Sequence, residues 1–345
     1  MKKRVLYIIA VLLIIGSIGI YHFAANSRSP HIYRVFQDSE KDFTIFDNVA
    51  ISNDGSLTAA GSQQSESNSW VRIWTTHTGK LLRTLHGREV TSADASNPIA
   101  FAFAPNNKQM AIAQNEIKVW DISSGKLLQS VKLPAGTGWI VKFSDDGKTL
   151  ACATQKNVII WDWFHHKKPI TIHAENSWVY DLDFSANGKF LISAGGERKV
   201  KLWRVADGHL IKTNCKHIAD ILACAFVNGN TLVSSLDQDG VNILWNIQSG
   251  DLRNLTTESG KPAESLSSIT FSPDGKKYMR IDSWTNLADH GFRKIQVVSS
   301  LNSAVLFSDN SDGSAGTLGF SNSNYFVMGD VMENLSPQVQ VWKIN

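Results

Sequence analysis

Two short motifs recur in strict alternation along this chain, and they constrain its fold more than any other feature. The first is an apolar residue running into a tight-turn signal: AISNDG at 50–55, FAPNN at 103–107, FSDDG at 143–147, FSANG at 184–188, FVNGN at 226–230, FSPDG at 271–275 and FSNSN at 320–324. The second is a β-branched run ending in Trp, at Trp74, Trp120, Trp161, Trp203, Trp245 and Trp342, with Val298 ending a degenerate copy. Turn residues between runs of period-two hydrophobicity read as strands and hairpins, not helices. Each unit of about 40–53 residues carries four short strands. They lie before the first turn, after it, up to the Trp, and after the next turn, as in ISSGKLLQSV at 122–131. A four-stranded sheet cannot bury its own faces, but seven in-phase copies arranged radially bury them against one another. The sequence predicts an all-β, seven-bladed β-propeller.

The units resemble the WD-repeat family of β-propellers, in the bacterial exported or membrane-anchored form, over about residues 31–345. Trp-Asp itself stands at Trp120-Asp121 and Trp161-Asp162; Trp74-Thr75, Trp203-Arg204, Trp245-Asn246 and Trp342-Lys343 are variants. The resemblance implies four-stranded WD-type blades, each with a structural network of His, Ser or Thr, Asp and Trp. The fifth copy matches it with His217, Ser234 or Ser235, Asp239 and Trp245. Glu197 takes the Asp position in the fourth copy, and Gln114 and Gln155 take it in earlier ones. The seventh copy stops at its Trp342 strand, while HIYRVF at 31–36 is an unassigned strand. In the family, such an amino-terminal strand completes the last blade and removes exposed sheet edges.

Ahead of the repeats, Lys2, Lys3 and Arg4 precede an uncharged apolar run of 17 residues, Val5–Tyr21. With Phe23, Ala24 and Ala25 it approaches the roughly 20 residues that cross a bilayer as a helix. Residues 1–25 therefore read as a hydrophobic signal-anchor helix and 26–30 as a short linker. A cleaved signal peptide, the alternative, has a shorter apolar core and a small-x-small site; here His22 or Phe23 occupies the −3 position. No Cys precedes Cys152, which excludes a lipoprotein anchor. Positive charge on the amino side holds that end in the cytoplasm. The expected location is a single pass through the inner membrane with the propeller on the periplasmic or extracytoplasmic side. Signal cleavage would instead leave a soluble periplasmic or secreted protein.

Composition and motifs then narrow the function. Removing the basic triplet from 34 basic residues leaves 31 against 31 acidic ones. A neutral body gives no electrostatic reason to bind nucleic acid. There is no Gly-rich phosphate loop, nucleophile elbow, HExxH or paired-Cys spacing, so no catalytic residue, cofactor or metal is expected. His165 and His166, beside Lys167 and Lys168, read as a solvated turn, and Asp181 and Asp183 as solvated or capping carboxylates. Cys152 and Cys224 lie in apolar strands and read as buried thiols, with a Cys215–Cys224 disulfide left open.

The reading that follows is a non-enzymatic, monomeric interaction scaffold that binds a protein partner. Insertions at 62–69, 86–98, 256–268, 283–292, 308–316 and 330–338 all belong to loop classes that open on one face, conventionally the top. The candidate partner-binding residues are Trp139 and Trp178, each just before a first strand, and Trp284 and His290 within the sixth-copy insertion. Rival readings are a periplasmic propeller enzyme of the lactonase or quinoprotein kind, and a Tol-system-like envelope assembly propeller.

Overall fold

The computed structural model describes residues 31–37, 48–63, 68–89, 99–134, 136–214, 216–255, 266–285, 291–312, 318–321, 325–330 and 338–343. The apolar segment 1–25 and the linker 26–30 lie outside these. Each repeat builds one antiparallel sheet whose four strands follow chain order: blade one within 48–89, two within 100–132, three within 140–173, four within 179–214, five within 221–254 and six within 266–312. Blade seven takes three strands from 318–343 and its outer strand from His31–Gln37. That strand lies antiparallel to Gln338–Lys343, with His31 opposite Lys343 and Gln37 opposite Gln338. The pairing covers backbone donors and acceptors that an open edge would leave unmatched. The first strands of blades one to seven touch in sequence, and those of seven and one touch in turn, so the ring is closed.

The core is divided as the repeat predicts. Among the described residues, buried side chains fall into seven clusters, and each draws on two adjacent blades. The strand-final Trp has one job in most of them: it fills the wedge against the preceding blade. Trp161 packs on blade two, Trp203 on blade three, Trp245 on blade four, Trp342 on blade six and Trp74 on blade seven. An indole buries roughly 150–250 Å², so at about 25 cal/mol per Å² each wedge contributes on the order of 4–6 kcal/mol before side-chain entropy is counted. In blade six the same position is Val298, in the small cluster shared with Leu236 and Tyr278.

Turn chemistry sets the hairpins. In four blades a Ser hydroxyl donates to the Asp or Asn two residues on: Ser52 to Asp54, Ser144 to Asp146, Ser185 to Asn187 and Ser272 to Asp274, at 2.6–2.8 Å. The next residue is a Gly with positive φ, for example 72° at Gly147, where a Cβ would be strained. These turns and the ones after each Trp strand sit at one end of every sheet, the bottom. Second-to-third-strand turns and blade links sit at the other, the top.

Several stretches read from sequence as inserted loops are partly strand. In blade six the ladder runs out to Thr285 opposite Gly291, and the outer strand continues to Asp312 opposite Phe292. In blade one the outer strand reaches Glu89, opposite Asn68. Continuing the ladder satisfies backbone groups that a loop would leave to water. Residues 286–290, 256–265, 313–317 and 331–337 lie outside the described residues.

Candidate interaction surface

The innermost strands of blades three to five are stitched by charge. Lys142 of Ile140–Phe143 reaches Asp181 at 3.0 Å and Asp183 at 3.9 Å, both on Val179–Phe184 of blade four. Each carboxylate also accepts a backbone N–H from the inner strand of blade five: Cys224 N to Asp181 at 3.0 Å and Phe226 N to Asp183 at 2.9 Å. The two aspartates therefore cap donors on the free edge of that strand, one of the two roles, solvated or capping, that the sequence left open. Burial pushes the Asp183 carboxyl up to about 6, against the pull of Lys142 and the Phe226 N–H. Burial opposes the charge on Lys142, but Asp181 and Asp183 outweigh it and raise the ammonium above its usual range.

At the top end of the same strands lies an aromatic platform. Trp139 and Trp178, which lead into the inner strands of blades three and four, stack with centroids 4.1 Å apart and planes 13° from parallel. Trp139 is half-buried, and its indole N–H donates to Val179 O at 3.1 Å, crossing from blade three to blade four. Trp178 keeps 42% of its surface exposed. Its backbone is clamped by Gly195 and Gly196: Gly196 N donates to Trp178 O at 3.0 Å, and a Cβ on Gly195 would meet that oxygen at 1.9 Å. Only glycine admits this approach. Beyond Trp178 the ladder slips, pairing Val179 with Gly195 and Asp181 with Ala194, so Tyr180 is a bulged residue and stays 38% exposed. Bulges re-aim side chains, commonly beside functional sites. In the link from blade four to blade five, Ile218 is 76% exposed. Sequence reasoning missed Tyr180 and Ile218. Strand alternation gives no sign of a bulge, and a lone Ile in a polar link carries no periodic signal.

Charged groups rim this surface. Glu175 stands nine residues before Phe184, as His217 stands nine before Phe226. The Glu175 side chain is buried, and Lys201 Nζ lies 3.4 Å from it and 2.8 Å from Glu197. Burial raises the Glu175 carboxyl against the pull of Lys201. At Glu197 burial acts the same way, but hydrogen bonds from Lys201 and Asn176 outweigh it and hold the carboxyl down to about 2. Arg198 reaches Asp220 of the next link at 3.6 Å.

The blade-five network differs from expectation in one residue. His217 Nδ1 donates to Asp237 at 2.8 Å, and Nε2 meets the Ser235 hydroxyl at 2.8 Å. The carboxylate is Asp237, the last residue of Leu232–Asp237, and not Asp239. Asp239 is exposed two residues further on in the turn, where its own N–H donates to Asp237 Oδ1 at 3.1 Å. A side chain at that tip faces water, whereas the strand-end position points into the blade. Trp245 packs between blades four and five. Register also explains where the Trp link exists. Trp203 Nε1 donates to Ser193 Oγ at 2.9 Å, and Ser193 lies two residues past Leu191, the cross-strand partner of Trp203. The matching positions in blades two and seven are Ile112 and Met328, and there Trp120 Nε1 and Trp342 Nε1 are buried without a partner. Gln114 instead accepts from Ser69 of blade one at 2.8 Å, and Gln155 offers its backbone carbonyl to Val179 N at 3.1 Å.

The remaining candidates separate from this surface. Trp284 pairs with Phe292 in the blade-six ribbon; His290 lies outside the described residues. His165 and His166 are exposed at the bottom, with His165 Nδ1 2.8 Å from Asp162, which also pairs with Lys167 at 2.9 Å. Cys152 and Cys224 are buried free thiols, and burial pushes Cys152 up to about 12. Cys215 lies outside the described residues.

Comparison with known proteins agrees with this architecture. Residues 167–204, the outer strand of blade three and the first three strands of blade four, match the family model described as WD domain, G-beta repeat. The chain is similar to Autophagy-related protein 16 of Arabidopsis thaliana, 27% identical over 47% of this chain and 32% of that protein. It is similar to Transcription initiation factor TFIID subunit 5 of Caenorhabditis elegans, 25% identical over 57% of this chain and 29% of that protein. SIR4-interacting protein SIF2 of Saccharomyces cerevisiae is 22% identical over 67% of this chain and 43% of that protein. The chain thus spans less than half the length of each of these relatives.

Proposed function

We propose that this protein is a non-enzymatic scaffold that holds a protein partner on its top face, around the Trp139–Trp178 platform. One observation carries the reading. An indole stacked at 4.1 Å on a second, hydrogen-bonded indole, and clamped by a glycine pair, is rigid before binding. A rigid, exposed aromatic costs little entropy to dock and is the residue type that dominates interface energy. Tyr180, two residues past Trp178, and Ile218, in the next blade link, are further exposed apolar side chains, and the Arg198–Asp220 and Lys201–Glu197 pairs supply charged groups. Two relatives support a partner-binding role by name, one a subunit of a transcription initiation factor and the other an interactor of SIR4.

The scaffold works outside the cytoplasm, held at the inner membrane by residues 1–25; the support for this is the basic triplet ahead of a 17-residue apolar run. The partner-binding test is affinity capture by the full chain from its native envelope. Trp178→Ala should release a specific partner, with a loss of about 2 kcal/mol or more in the affinity then measured. A bottom-face variant, His165→Ala with His166→Ala, should retain it. Release by the bottom-face variant with retention by Trp178→Ala would overturn the assignment. Location has its own test: alkaline phosphatase fused after Asn345 should be active, and an inactive fusion with an active cytoplasmic reporter would overturn export.

A further inference from the structure

Between the outer strand of blade four, Leu210–Asn214, and the outer half of blade five lies a cleft of about 430 Å³ that the top-face reading leaves unused. Lys212, Asn214, Lys216, Trp245, Gly250 and Leu252 line it. Asn214 is only 5% exposed, yet neither its carboxamide oxygen nor its nitrogen has a hydrogen-bond partner. Buried polar groups in folded proteins are almost always paired, so one that lines a cleft calls for an explanation. The second observation is charge. Lys212 Nζ donates to Ile247 O at 2.7 Å and to Gln248 O at 3.2 Å, which are neutral carbonyls, and among the described residues no carboxylate lines the cleft. Lys216 adds a second ammonium.

The two observations select one ligand class. A carboxamide with both ends free needs one acceptor and one donor side by side. A phosphate or carboxylate offers only acceptors, whereas each residue of an extended chain offers its own N–H and C=O on the same side. Rotation about the soft χ2 of Asn turns that edge toward an occupant. The uncompensated ammoniums call for acidic side chains, and Trp245 with Leu252 supplies an apolar wall for the residues between them. We propose that this cleft is a second, lateral binding site for an extended acidic peptide segment of a partner protein. The N–H and C=O of one of its residues pair with Asn214, and its carboxylates face Lys212 and Lys216. The site does not depend on the platform at Trp178, which opens on the top face.

The test uses the full chain and end-capped, fluorescein-labelled octapeptides that alternate Glu with Val, beside the same peptides with Gln for Glu. Anisotropy should show saturable binding of the Glu peptide and about tenfold weaker binding of the Gln peptide. Asn214→Leu and Lys216→Glu should each weaken binding by about tenfold, and Trp178→Ala should leave it unchanged. Asn214→Leu should also leave the thermal midpoint unchanged or raised, since it removes two unpaired buried atoms. Lys216→Glu, at an exposed position, reports on binding even if the Leu variant folds poorly. The absence of saturable binding would overturn the proposal. So would equal affinity for the Gln peptide, or full displacement by inorganic phosphate at millimolar concentration. Loss of binding in Trp178→Ala alone would place the peptide on the top face and overturn the lateral site.

Discussion

Asp237→Ala tests the blade-five network where sequence and structure name different carboxylates. Asp237 Oδ2 accepts from His217 Nδ1 at 2.8 Å, and Oδ1 accepts from the N–H groups of Asp239 at 3.1 Å and Val241 at 2.8 Å. The two side chains are at most 1% exposed. The turn N–H groups regain water when the carboxylate is removed, so the loss falls mainly on the imidazole. Leaving a buried hydrogen-bonding group without its partner costs about 1–3 kcal/mol. With an unfolding entropy of about 2.1 cal/mol/K per residue over the ring, the melting midpoint should fall by roughly 2–5 °C. Asp239→Ala should change stability by less than about 0.5 kcal/mol, as exposed substitutions do. Thermal denaturation followed by circular dichroism, with both variants beside the parent, is the assay. If Asp239→Ala costs as much as Asp237→Ala, or Asp237→Ala melts with the parent, the buried-pair reasoning is wrong.

Three further outcomes follow from the geometry. Asp183 has a folded pKa of about 6 against an ordinary 3.8, so the folded state holds the proton more tightly, and the contribution is full below the ordinary value and lost as pH rises through about 6. The stability of the parent relative to Asp183→Asn should therefore decline from pH 4.5 to 7.5 in matched denaturant titrations, and a flat or rising difference refutes the assignment. Deleting 31–36 should lower the melting midpoint by removing the outer strand of blade seven, which equal midpoints for deletion and parent would exclude. Gly195→Ala drives a Cβ to 1.9 Å from Trp178 O and should cost about 1–3 kcal/mol; it should also weaken the near-ultraviolet signal of the stacked indoles, which an unchanged spectrum would contradict.

The alternation of turn motif and strand-final Trp determined seven sheets and the strand order within each repeat, while the fourth strand of blade seven, from 31–37, was what the family resemblance implied. Strand patterning is local: period two, a Ser-x-Asp-Gly turn and a wedge-filling indole all act within about 40 residues of chain. The sequence left Asp181 and Asp183 as solvated or capping carboxylates, and only the packing of blade five on blade four decides for capping. What sequence could not decide depends on where strands end and on distances between blades. Asp237 rather than Asp239 meets His217 because the strand ends one residue before the turn rises out of the blade. Trp139 and Trp178 lie 39 positions apart in the chain, and their stacking exists only because two inner strands start side by side at the top of the ring. The unpaired Asn214 carboxamide is likewise a property of how blade five packs on blade four. Pairings across blade boundaries are set by the closed geometry of the ring, and no local pattern in the chain encodes them.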